Sequence, residues 1–297
     1  MATVTELLQK AEQSIRNSGC GACPEEQSAR LDAEILFCDV MQFNRSRIYS
    51  HPEQIIPDDK SALFQSLIEQ RQQGHPIAHL TGKKEFWSME LAINEDTLIP
   101  RPETELLVET ALQIIPDDTI FNIIDLGTGS GAIAIAIASE RPNCKIIATD
   151  ININALTMAK KNAETHQLKN IQFYLSDWYQ NIPLQSFDLI LSNPPYVKQY
   201  DEHLSQGDVR FEPELALVAG TDGMQAINII LENAKSYLVS DAYLMLEHGH
   251  DQKQLVQEAF LKHNFKQLKT FQDLFGQDRM TMGSHKINRD ALDKYYG

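Results

Sequence analysis

The chain has 297 residues, of which 42% are hydrophobic, and a formal net charge of -15. This length and apolar content can fill the cores of two compact domains, which excludes a disordered chain. No apolar run reaches about 18 residues, and the amphipathic start carries Glu6 and Glu12, so we predict a cytoplasmic protein without a membrane segment. The acidic pI of about 5.0 implies a field that repels phosphate backbones, so we expect no direct nucleic-acid partner.

The cysteines point to free thiols rather than to a metal site. Of Cys20, Cys23, Cys38 and Cys144, only the first two have the spacing of a zinc or redox motif. A zinc site would need a second ligand pair, and a thioredoxin-type site would need a strand directly before it. Neither is visible, so we predict no metal and reduced thiols in a reducing compartment.

The first 83 residues are predicted to form a small all-α domain. Apolar residues recur there at helical spacing, and turn-forming breaks separate several short helices. Between residues 84 and 100 the pattern changes to the alternation that is typical of strands, before a turn-like Asn-Glu-Asp. We therefore predict a β-hairpin linker over residues 84–100.

Residues 101–284 show strands alternating with helices, which is typical of βαβ units. The predicted strands are FNIIDLG, CKIIATD, NIQFYLS, FDLILSN and AYLMLEH, with two further β-prone stretches at 265–271 and 279–283. Helices are predicted at about 102–115, 132–140, 154–166, 224–238 and 252–262. The fold class is therefore α/β, with a doubly wound, Rossmann-like parallel sheet, and residues 285–297 are predicted to be a polar tail.

A glycine-rich turn, Asp-Leu-Gly-Thr-Gly-Ser-Gly over residues 125–131, follows the first of these strands and opens a helix. Glycines let such a turn bend sharply and approach a ligand. Asp150 ends the next strand, where a carboxylate can accept hydrogen bonds from ribose hydroxyls. The same spacing also fits a dinucleotide site, and the glycines could serve packing alone. Asp125, two residues before Gly127, suits a cationic ligand and favours a methyl donor.

The sequence Asn193-Pro194-Pro195-Tyr196 directly follows the fourth predicted strand, at the edge where open α/β sheets bind ligands. The two prolines stiffen this loop and remove two N–H donors. A substrate NH2 group can donate one hydrogen bond to the Asn193 side-chain oxygen and one to the Pro194 carbonyl, while the Tyr196 ring stacks on its plane. Such positioning aims the nitrogen lone pair at an activated methyl group, so the loop predicts methyl transfer to a planar nitrogen.

Six segments resemble the glutamine N5-methyltransferases of peptide chain release factors, the PrmC or HemK family. They are residues 98–105, 125–131, 187–196, 209–213, 247–249 and 278–283. The resemblance implies a helical domain that helps hold the release factor, a hairpin linker and a class I S-adenosylmethionine methyltransferase domain. It implies methylation of N5 of the glutamine in the Gly-Gly-Gln motif of class 1 release factors, which tunes translation termination.

The resemblance also implies a role for each motif residue. The loop from Gly127 to Gly131 is expected to contact the methionine part of the cofactor, Asp150 its ribose and Trp178 the neighbourhood of its adenine. The complete predicted cofactor set is Asp125, Gly127, Thr128, Gly129, Ser130, Gly131, Asp150, Trp178 and Asn193. The predicted substrate-binding residues are Asn193, Pro194, Pro195 and Tyr196, of which Asn193, Pro194 and Tyr196 are the predicted catalytic residues. The expected product is S-adenosylhomocysteine.

Other acceptors stay open at this point. A sister family methylates a glutamine of a ribosomal protein with the same Asn-Pro-Pro-Tyr loop, but tends to have Pro-Arg-Ser-Pro where this chain has Pro-Arg-Pro-Glu at 100–103. An adenine-N6 or guanine-N2 nucleic-acid methyltransferase would use this loop on a flipped base, and the acidic charge counts against it. A regulatory protein that only binds the cofactor would have no need for Asn193.

Overall fold

The computed structural model describes residues 2–18 and 26–285, except the side chains of Glu26 and Gln27. The Cys20 and Cys23 pair and residues 286–297 of the predicted tail lie outside the described residues. The chain divides into a helical unit, residues 1–83, 93–95 and 201–212, and a sheet unit, residues 84–92, 96–200 and 213–297. Among the described residues, no helix is long and apolar enough to cross a membrane.

The helical unit has the short helices that the sequence predicts, together with a small pair of antiparallel strands. Its elements are β1 (Ala2–Thr3), α1 (Val4–Asn17), α2 (Glu26–Met41), α3 (Arg45–Ser50), β2 (Ile55–Ile56), α4 (Asp58–Gln72) and α5 (Ile77–Thr81). Helix α1 begins with a capping box, in which Thr3 and Glu6 exchange hydrogen bonds and satisfy two free N–H groups. Phe37 and Phe64 pack edge to face in the core, with ring centroids 5.3 Å apart.

Residues 201–212 join the helical unit, which the division at residue 83 does not anticipate. The buried Arg71 of α4 holds this segment, because its guanidinium contacts Asp208 at 2.9 Å and Asp32 at 2.8 Å. The ring of Phe211 also lies 4.3 Å from that of His75. Local periodicity carries no information about contacts between residues this far apart in the chain, and this explains the difference from the sequence-based boundary.

A hairpin is present as β3 (Lys83–Phe86) and β4 (Met89–Ala92), so residues 93–100 of the predicted linker lie beyond its second strand. Its two-residue turn has Trp87 and Ser88 at φ angles of 51° and 57°, the left-handed values that a tight hairpin turn requires. The buried Asn162 side chain accepts a hydrogen bond from the backbone nitrogen of Ala92 at 2.8 Å and donates one to its oxygen at 3.0 Å. These bonds tie the hairpin to the sheet unit.

The sheet unit contains a seven-stranded sheet in the order β10-β11-β9-β8-β5-β6-β7. Its strands are β5 (Asn122–Leu126), β6 (Lys145–Asp150), β7 (Ile171–Leu175), β8 (Phe187–Ser192), β9 (Leu238–Glu247), β10 (Lys266–Gln272) and β11 (Asp278–His285). The pairs from β7 to β9 are parallel, and β11 is antiparallel to both of its neighbours. This arrangement confirms the predicted Rossmann-like α/β class.

Helices cover both faces of this sheet. They are α6 (Glu105–Ile114), α7 (Ala132–Glu140), α8 (Ile153–Thr165), α9 (Gln225–Ala234) and α10 (Lys253–Lys262). Alternate residues of β5 enter the two cores, with Ile123 packing on the α6–α7 side and Ile124 on the α9–α10 side. The predicted helix 224–238 is too long, because α9 ends at Ala234 and a short 3-10 turn leads into β9, four residues before the predicted strand.

The parallel register fixes where the motifs meet. Asp125 of β5 pairs with Leu191 of β8, and Leu191 pairs with Met245 of β9. The carboxyl ends of these strands therefore share one edge of the sheet, with Asp150 at the end of the neighbouring β6. Residues that the sequence separates widely are brought together at this edge.

We expect the substitution Gly131→Ala to lower the free energy of unfolding by about 1–3 kcal/mol more than the backbone angle alone would cost, because the added methyl group overpacks the core. Gly131 has a φ angle of +87°, and an added Cβ atom would lie 2.9 Å from Ile135 Cδ1 and 3.1 Å from Ala159 Cβ. The matched control is Gly276→Ala, because Gly276 has a φ angle of +76° but nothing within 4 Å of its added Cβ. Denaturant unfolding of the two variants measures the difference, and equal losses would show that only the backbone angle matters.

Candidate active site

Asp125, which is completely buried near the end of β5, holds the glycine-rich loop. Its Oδ2 atom accepts a 2.6 Å hydrogen bond from the Thr128 hydroxyl. Burial raises the pKa of this carboxyl to about 7, against the opposing effect of the Thr128 hydrogen bond. The loop then turns through Gly127 and Gly129, whose φ angles of 71° and 56° favour glycine.

Asp150 holds the same loop from the neighbouring strand. One carboxylate oxygen accepts a hydrogen bond from the Gly129 nitrogen at 2.8 Å, and the other accepts one from the Asn152 nitrogen at 2.8 Å. Burial raises the pKa of Asp150, while these backbone donors lower it. The Ile151 backbone N–H also hydrogen bonds to this carboxyl. A carboxylate has about four acceptor positions, so beyond these three donors it keeps capacity for a hydroxyl group of a ligand.

The indole of Trp178 lies over the glycine loop. An added Cβ atom on Gly127 would be 3.6 Å from the Trp178 ring, so the ring is in van der Waals reach of the loop. Trp178 has a φ angle of 49°, and its backbone oxygen accepts a hydrogen bond from the Ser176 hydroxyl at 2.9 Å. This bond helps to fix the strained turn that presents the ring.

The Asn-Pro-Pro-Tyr loop leaves β8 and is fixed by backbone contacts beyond it. The Val197 nitrogen donates to the Leu217 oxygen at 2.8 Å, and the Gln252 side chain donates to the Tyr196 oxygen at 3.0 Å. Gly223 permits this packing, because a Cβ atom there would lie 2.3 Å from the Tyr196 oxygen. The loop is therefore rigid, although Gly223 and Gln252 carry no motif in the sequence.

The side chain of Asn193 has a defined orientation. Its Nδ2 atom donates a 3.2 Å hydrogen bond to the hydroxyl of Thr104. Thr104 is buried and also hydrogen bonds to the carboxyl of Glu247. Because an amide nitrogen only donates, the Thr104 hydroxyl accepts from Asn193, and its own proton is available to the carboxyl of Glu247. This chain of hydrogen bonds directs the Asn193 nitrogen to Thr104 and leaves its oxygen for another donor.

Glu247 also fixes Tyr196. The Tyr196 hydroxyl donates to Glu247 Oε1 at 3.3 Å, and the carboxyl is buried at the end of β9. Burial raises the pKa of Glu247 to about 7, although the hydroxyls of Thr104 and Tyr196 lower it. Burial together with the nearby Glu247 raises the pKa of Tyr196 above its ordinary value, so the phenol stays protonated. The sequence contains Thr104 and Glu247 in recognised segments but gave no reason to assign them a role.

A cavity of about 260 Å³ opens between the two loops. The predicted site residues that line it are Gly127, Gly129, Asp150, Trp178, Asn193 and Pro195. The other six, namely Asp125, Thr128, Ser130, Gly131, Pro194 and Tyr196, do not line this cavity, although all six lie on the glycine-rich loop, the acceptor loop or the strand before it. The wall also includes Leu98 and Pro213, which lie in recognised segments but were not predicted as site residues. Asp96, Leu215 and Ile229 line it too, and they belong to no recognised segment. Three acidic residues (Asp96, Asp150 and Asp177), an aromatic ring and aliphatic walls together suit a nucleoside-sized ligand.

Within the described parts of the chain, no group of three or more His, Cys, Asp or Glu side chains is arranged to hold a metal. Cys38 is half-buried and Cys144 is buried, and both are free thiols. Burial raises the pKa of each thiol, which keeps both in the less reactive protonated form.

Comparison with known proteins identifies the class first. Residues 102–209 match the family described as Methyltransferase small domain. A Pyrococcus furiosus methyltransferase superposes with a TM-score of 0.51 at 18% identity, covering 75% of this chain and 98% of that one. A T. thermophilus 16S rRNA methyltransferase in complex with AdoMet and guanosine gives 0.50 at 16% identity, covering 69% and 50%. The fold is therefore that of a class I methyltransferase.

The family follows from more similar relatives. The release factor glutamine methyltransferase of Aliivibrio fischeri is 41% identical over 96% of this chain and 99% of its own length. Those of Escherichia coli and Coxiella burnetii are 45% and 43% identical, covering 87% and 86% of this chain and 93% and 91% of theirs. Residues 6–82 match the PrmC N-terminal domain. This chain belongs to the release factor glutamine methyltransferase family.

The buried Glu247 carboxyl makes the stability of the protein depend on pH. Its folded pKa of about 7 lies above the ordinary value of 4.5, so the folded state binds the proton more tightly than the unfolded state. The resulting stabilisation is complete below pH 4.5 and is lost as the pH rises through about 7. Relative to Glu247→Gln, we expect the native protein to lose up to about 1.4 kcal/mol per pH unit in this window.

Denaturant unfolding of both proteins at several pH values measures this difference. The exposed Glu258 provides the control, because Glu258→Gln removes a carboxylate without opening the buried site. Parallel pH profiles for the native protein and Glu247→Gln would show that the carboxyl does not titrate in this range.

Proposed function

We propose that this protein transfers a methyl group from S-adenosylmethionine to N5 of the glutamine in the Gly-Gly-Gln motif of class 1 release factors. The observation that carries the proposal is the hydrogen bond from Asn193 Nδ2 to Thr104, which leaves the Asn193 oxygen for an acceptor amide. The family relatives named as release factor glutamine methyltransferases support the same substrate. In this proposal the protein acts in the cytoplasm.

The residues of the cavity fit the proposed cofactor. Asp150 has acceptor capacity for ribose hydroxyls, and Trp178 with the aliphatic wall can cover an adenine. The open space at Gly129, where an added Cβ atom would meet nothing within 4 Å, lets a ligand approach the backbone. When bound, the sulfonium supplies an activated methyl group. We assign the glycine loop to the methionine part of this cofactor, with Asp125, Thr128, Ser130 and Gly131 shaping the loop.

The chain's own residues position the acceptor. The Asn193 oxygen and the Pro194 carbonyl accept one hydrogen bond each from the glutamine NH2 group, which fixes the nitrogen and orients its lone pair. Pro195 stiffens the loop, and the Tyr196 ring, whose hydroxyl is held by Glu247, packs against the amide plane and excludes water. In the transfer the N5–CH3 bond would form as the S–CH3 bond of the cofactor breaks, and the methylated amide, made acidic by the new bond, would release one N–H proton to solvent. Positioning and partial removal of solvent supply the acceleration, and no side chain is required as a strong base.

The helical unit is proposed to help hold the release factor. It has a separate hydrophobic core and matches the PrmC N-terminal domain, while every residue assigned to chemistry lies in the sheet unit. Deleting residues 1–83 is not a clean test of this role. Such a deletion would remove Arg71 and His75, the partners of Asp208 and Phe211. Surface substitutions in the full-length chain are the appropriate test.

The acceptor is identified by incubation with tritiated S-adenosylmethionine and separate candidates. These are a class 1 release factor, the large-subunit ribosomal protein with a methylated glutamine, transfer RNA and DNA. Label on the release factor supports the proposal. Label only on the ribosomal protein or only on nucleic acid would replace the proposed function by one of those two alternatives.

Two substitutions should separate cofactor binding from catalysis. We expect Asn193→Ala to keep cofactor affinity but to raise the barrier by about 2–4 kcal/mol, because one positioning hydrogen bond is lost. We expect Asp150→Ala to weaken cofactor affinity by about 1.5–3 kcal/mol, the range for a hydrogen bond to a charged group. Calorimetry and single-turnover methylation measure the two effects. Native turnover in Asn193→Ala would show that Asn193 does not position the acceptor amide. An unchanged dissociation constant in Asp150→Ala would show that Asp150 does not bind the ribose of the cofactor.

Thr104 is assigned as a positioning residue for Asn193. We expect Thr104→Val to lower kcat by about tenfold, equivalent to about 1.4 kcal/mol, because Asn193 loses its acceptor and its amide can rotate. Thr104→Ser keeps the hydroxyl and should restore most of the rate. The cofactor dissociation constant should stay at the native value in both variants, since Thr104 does not line the cavity.

Steady-state kinetics with release factor provide the measurement, and KM should change less than kcat. Both variants replace the same buried side chain. If Thr104 had only a structural role, kcat would follow the stability of each variant, and the hydroxyl of Thr104→Ser would not restore it. Equal kcat values for Thr104→Val and the native enzyme would show that Asn193 is oriented without Thr104.

A further inference from the structure

The turn between β10 and β11 lies at the same edge of the sheet as the acceptor loop. Strand β11 is antiparallel to β9, and Met280 near its start pairs with Glu247 at the end of β9. The turn at residues 273–277 therefore lies at the carboxyl edge of the sheet. The two strands that it joins are two and three strand positions from β8, roughly 10–14 Å at the usual strand spacing.

This turn is built as a rigid structure. The Asp273 carboxylate accepts hydrogen bonds from the backbone nitrogens of Phe275 and Gln277, both at 2.9 Å, and from Arg279 Nε at 2.8 Å. The backbone nitrogen of Asp273 also donates to the Gln277 oxygen at 2.9 Å. Gly276 has a φ angle of +76°, which lets the chain reverse here. The conformation of the turn is thus fixed from within.

The rigid turn presents two large apolar side chains to solvent. Leu274 has a relative exposure of 102% and Phe275 one of 85%. The charges around them are already paired, because Asp273 contacts Arg279 at 2.8 Å and Asp278 contacts Lys253 at 3.2 Å. The tip is consequently an apolar, electrically neutral surface, and this chemistry suits a protein partner better than a phosphate backbone.

The base of the turn is close to the acceptor corner. Arg279, which anchors Asp273, also acts electrostatically on Tyr196 and Glu247, where its charge opposes the burial that raises the pKa of both groups. A folded protein that places a side-chain amide beside Asn193 must extend over this edge of the sheet. The tip is therefore continuous with the surface that the acceptor protein has to approach.

We propose that Leu274 and Phe275 form a docking surface for the release factor, contacting the folded protein beside its reactive glutamine loop. This inference rests on the proposed function and names a part of the enzyme that recognises the substrate. A preformed turn binds without the entropic cost of ordering a flexible loop. Two apolar side chains on such a turn supply binding energy that a short glutamine peptide cannot use.

The test compares two double variants of the full-length chain. The tip variant is Leu274→Ser with Phe275→Ser. The control is Ile120→Ser with Leu184→Ser, because these side chains are also exposed, at 64% and 90%. They precede β5 and β8 by a few residues and so lie toward the opposite edge of the sheet. For each protein, kcat/KM is measured with intact release factor and with a short Gly-Gly-Gln peptide.

We expect the ratio of the two kcat/KM values, intact protein over peptide, to fall at least fivefold in the tip variant. The ratio should stay within twofold of the native value in the control. Most of the change should appear in KM for the intact protein. Calorimetry with S-adenosylmethionine verifies that each variant is folded, and a Phe275→Leu variant should retain most of the native ratio because it keeps an apolar side chain.

Three results would overturn the proposal, and they are distinguishable. A native ratio in the tip variant, with the native enzyme active on release factor, overturns the docking surface alone. A concentration-dependent dimer of the native protein that the tip substitutions abolish, seen by sedimentation velocity, assigns the tip to a second copy of this chain. No methylation of either substrate by the native enzyme overturns the proposed function and the docking surface with it.

Discussion

The parallel register of the central strands is the constraint on which the rest of the site depends. Because β5, β6, β8 and β9 run in one direction, their carboxyl ends meet at one edge of the sheet. Every residue assigned to the cofactor or the acceptor is on, or directly after, one of these ends or on a loop beside them. The apolar interiors of the strands supply the stability, so the strand ends are free to carry polar groups that burial alone would disfavour.

Two buried carboxyl groups, Asp125 and Glu247, show how such polar groups are used. Burial raises the pKa of each to about 7, which means that the ionised forms cost stability. In return each carboxyl orients hydroxyl groups: Asp125 accepts from Thr128, and Glu247 accepts from Tyr196. Neither lines the cavity. Their contribution is to hold the glycine loop and the acceptor loop in one conformation before a ligand arrives, which is how a site that relies on positioning gains rate.

The sequence was sufficient for the features that depend on local pattern. Strand and helix alternation predicted the sheet, and the turn glycines and the Asn-Pro-Pro-Tyr loop predicted the edge where the cavity is found. It was insufficient where contacts join distant residues. Asn193 and Thr104 are 89 positions apart, and Arg71 and Asp208 are 137 apart. No periodicity relates such pairs, so the orientation of Asn193 and the membership of residues 201–212 in the helical unit required the structure.

The acceptor corner by itself does not define a protein substrate. An Asn oxygen, a proline carbonyl and an aromatic ring can hold an exocyclic base amine as well as a glutamine amide, since both groups present two donors on a planar nitrogen. Discrimination must therefore arise outside the cavity, from surfaces that a folded protein can reach and a flipped base does not use. The net charge of -15 opposes nucleic acid over a long range. The proposed apolar contacts of Leu274 and Phe275 act at short range and only on a partner of complementary shape. In this proposal charge and contact therefore favour the same class of substrate by independent means.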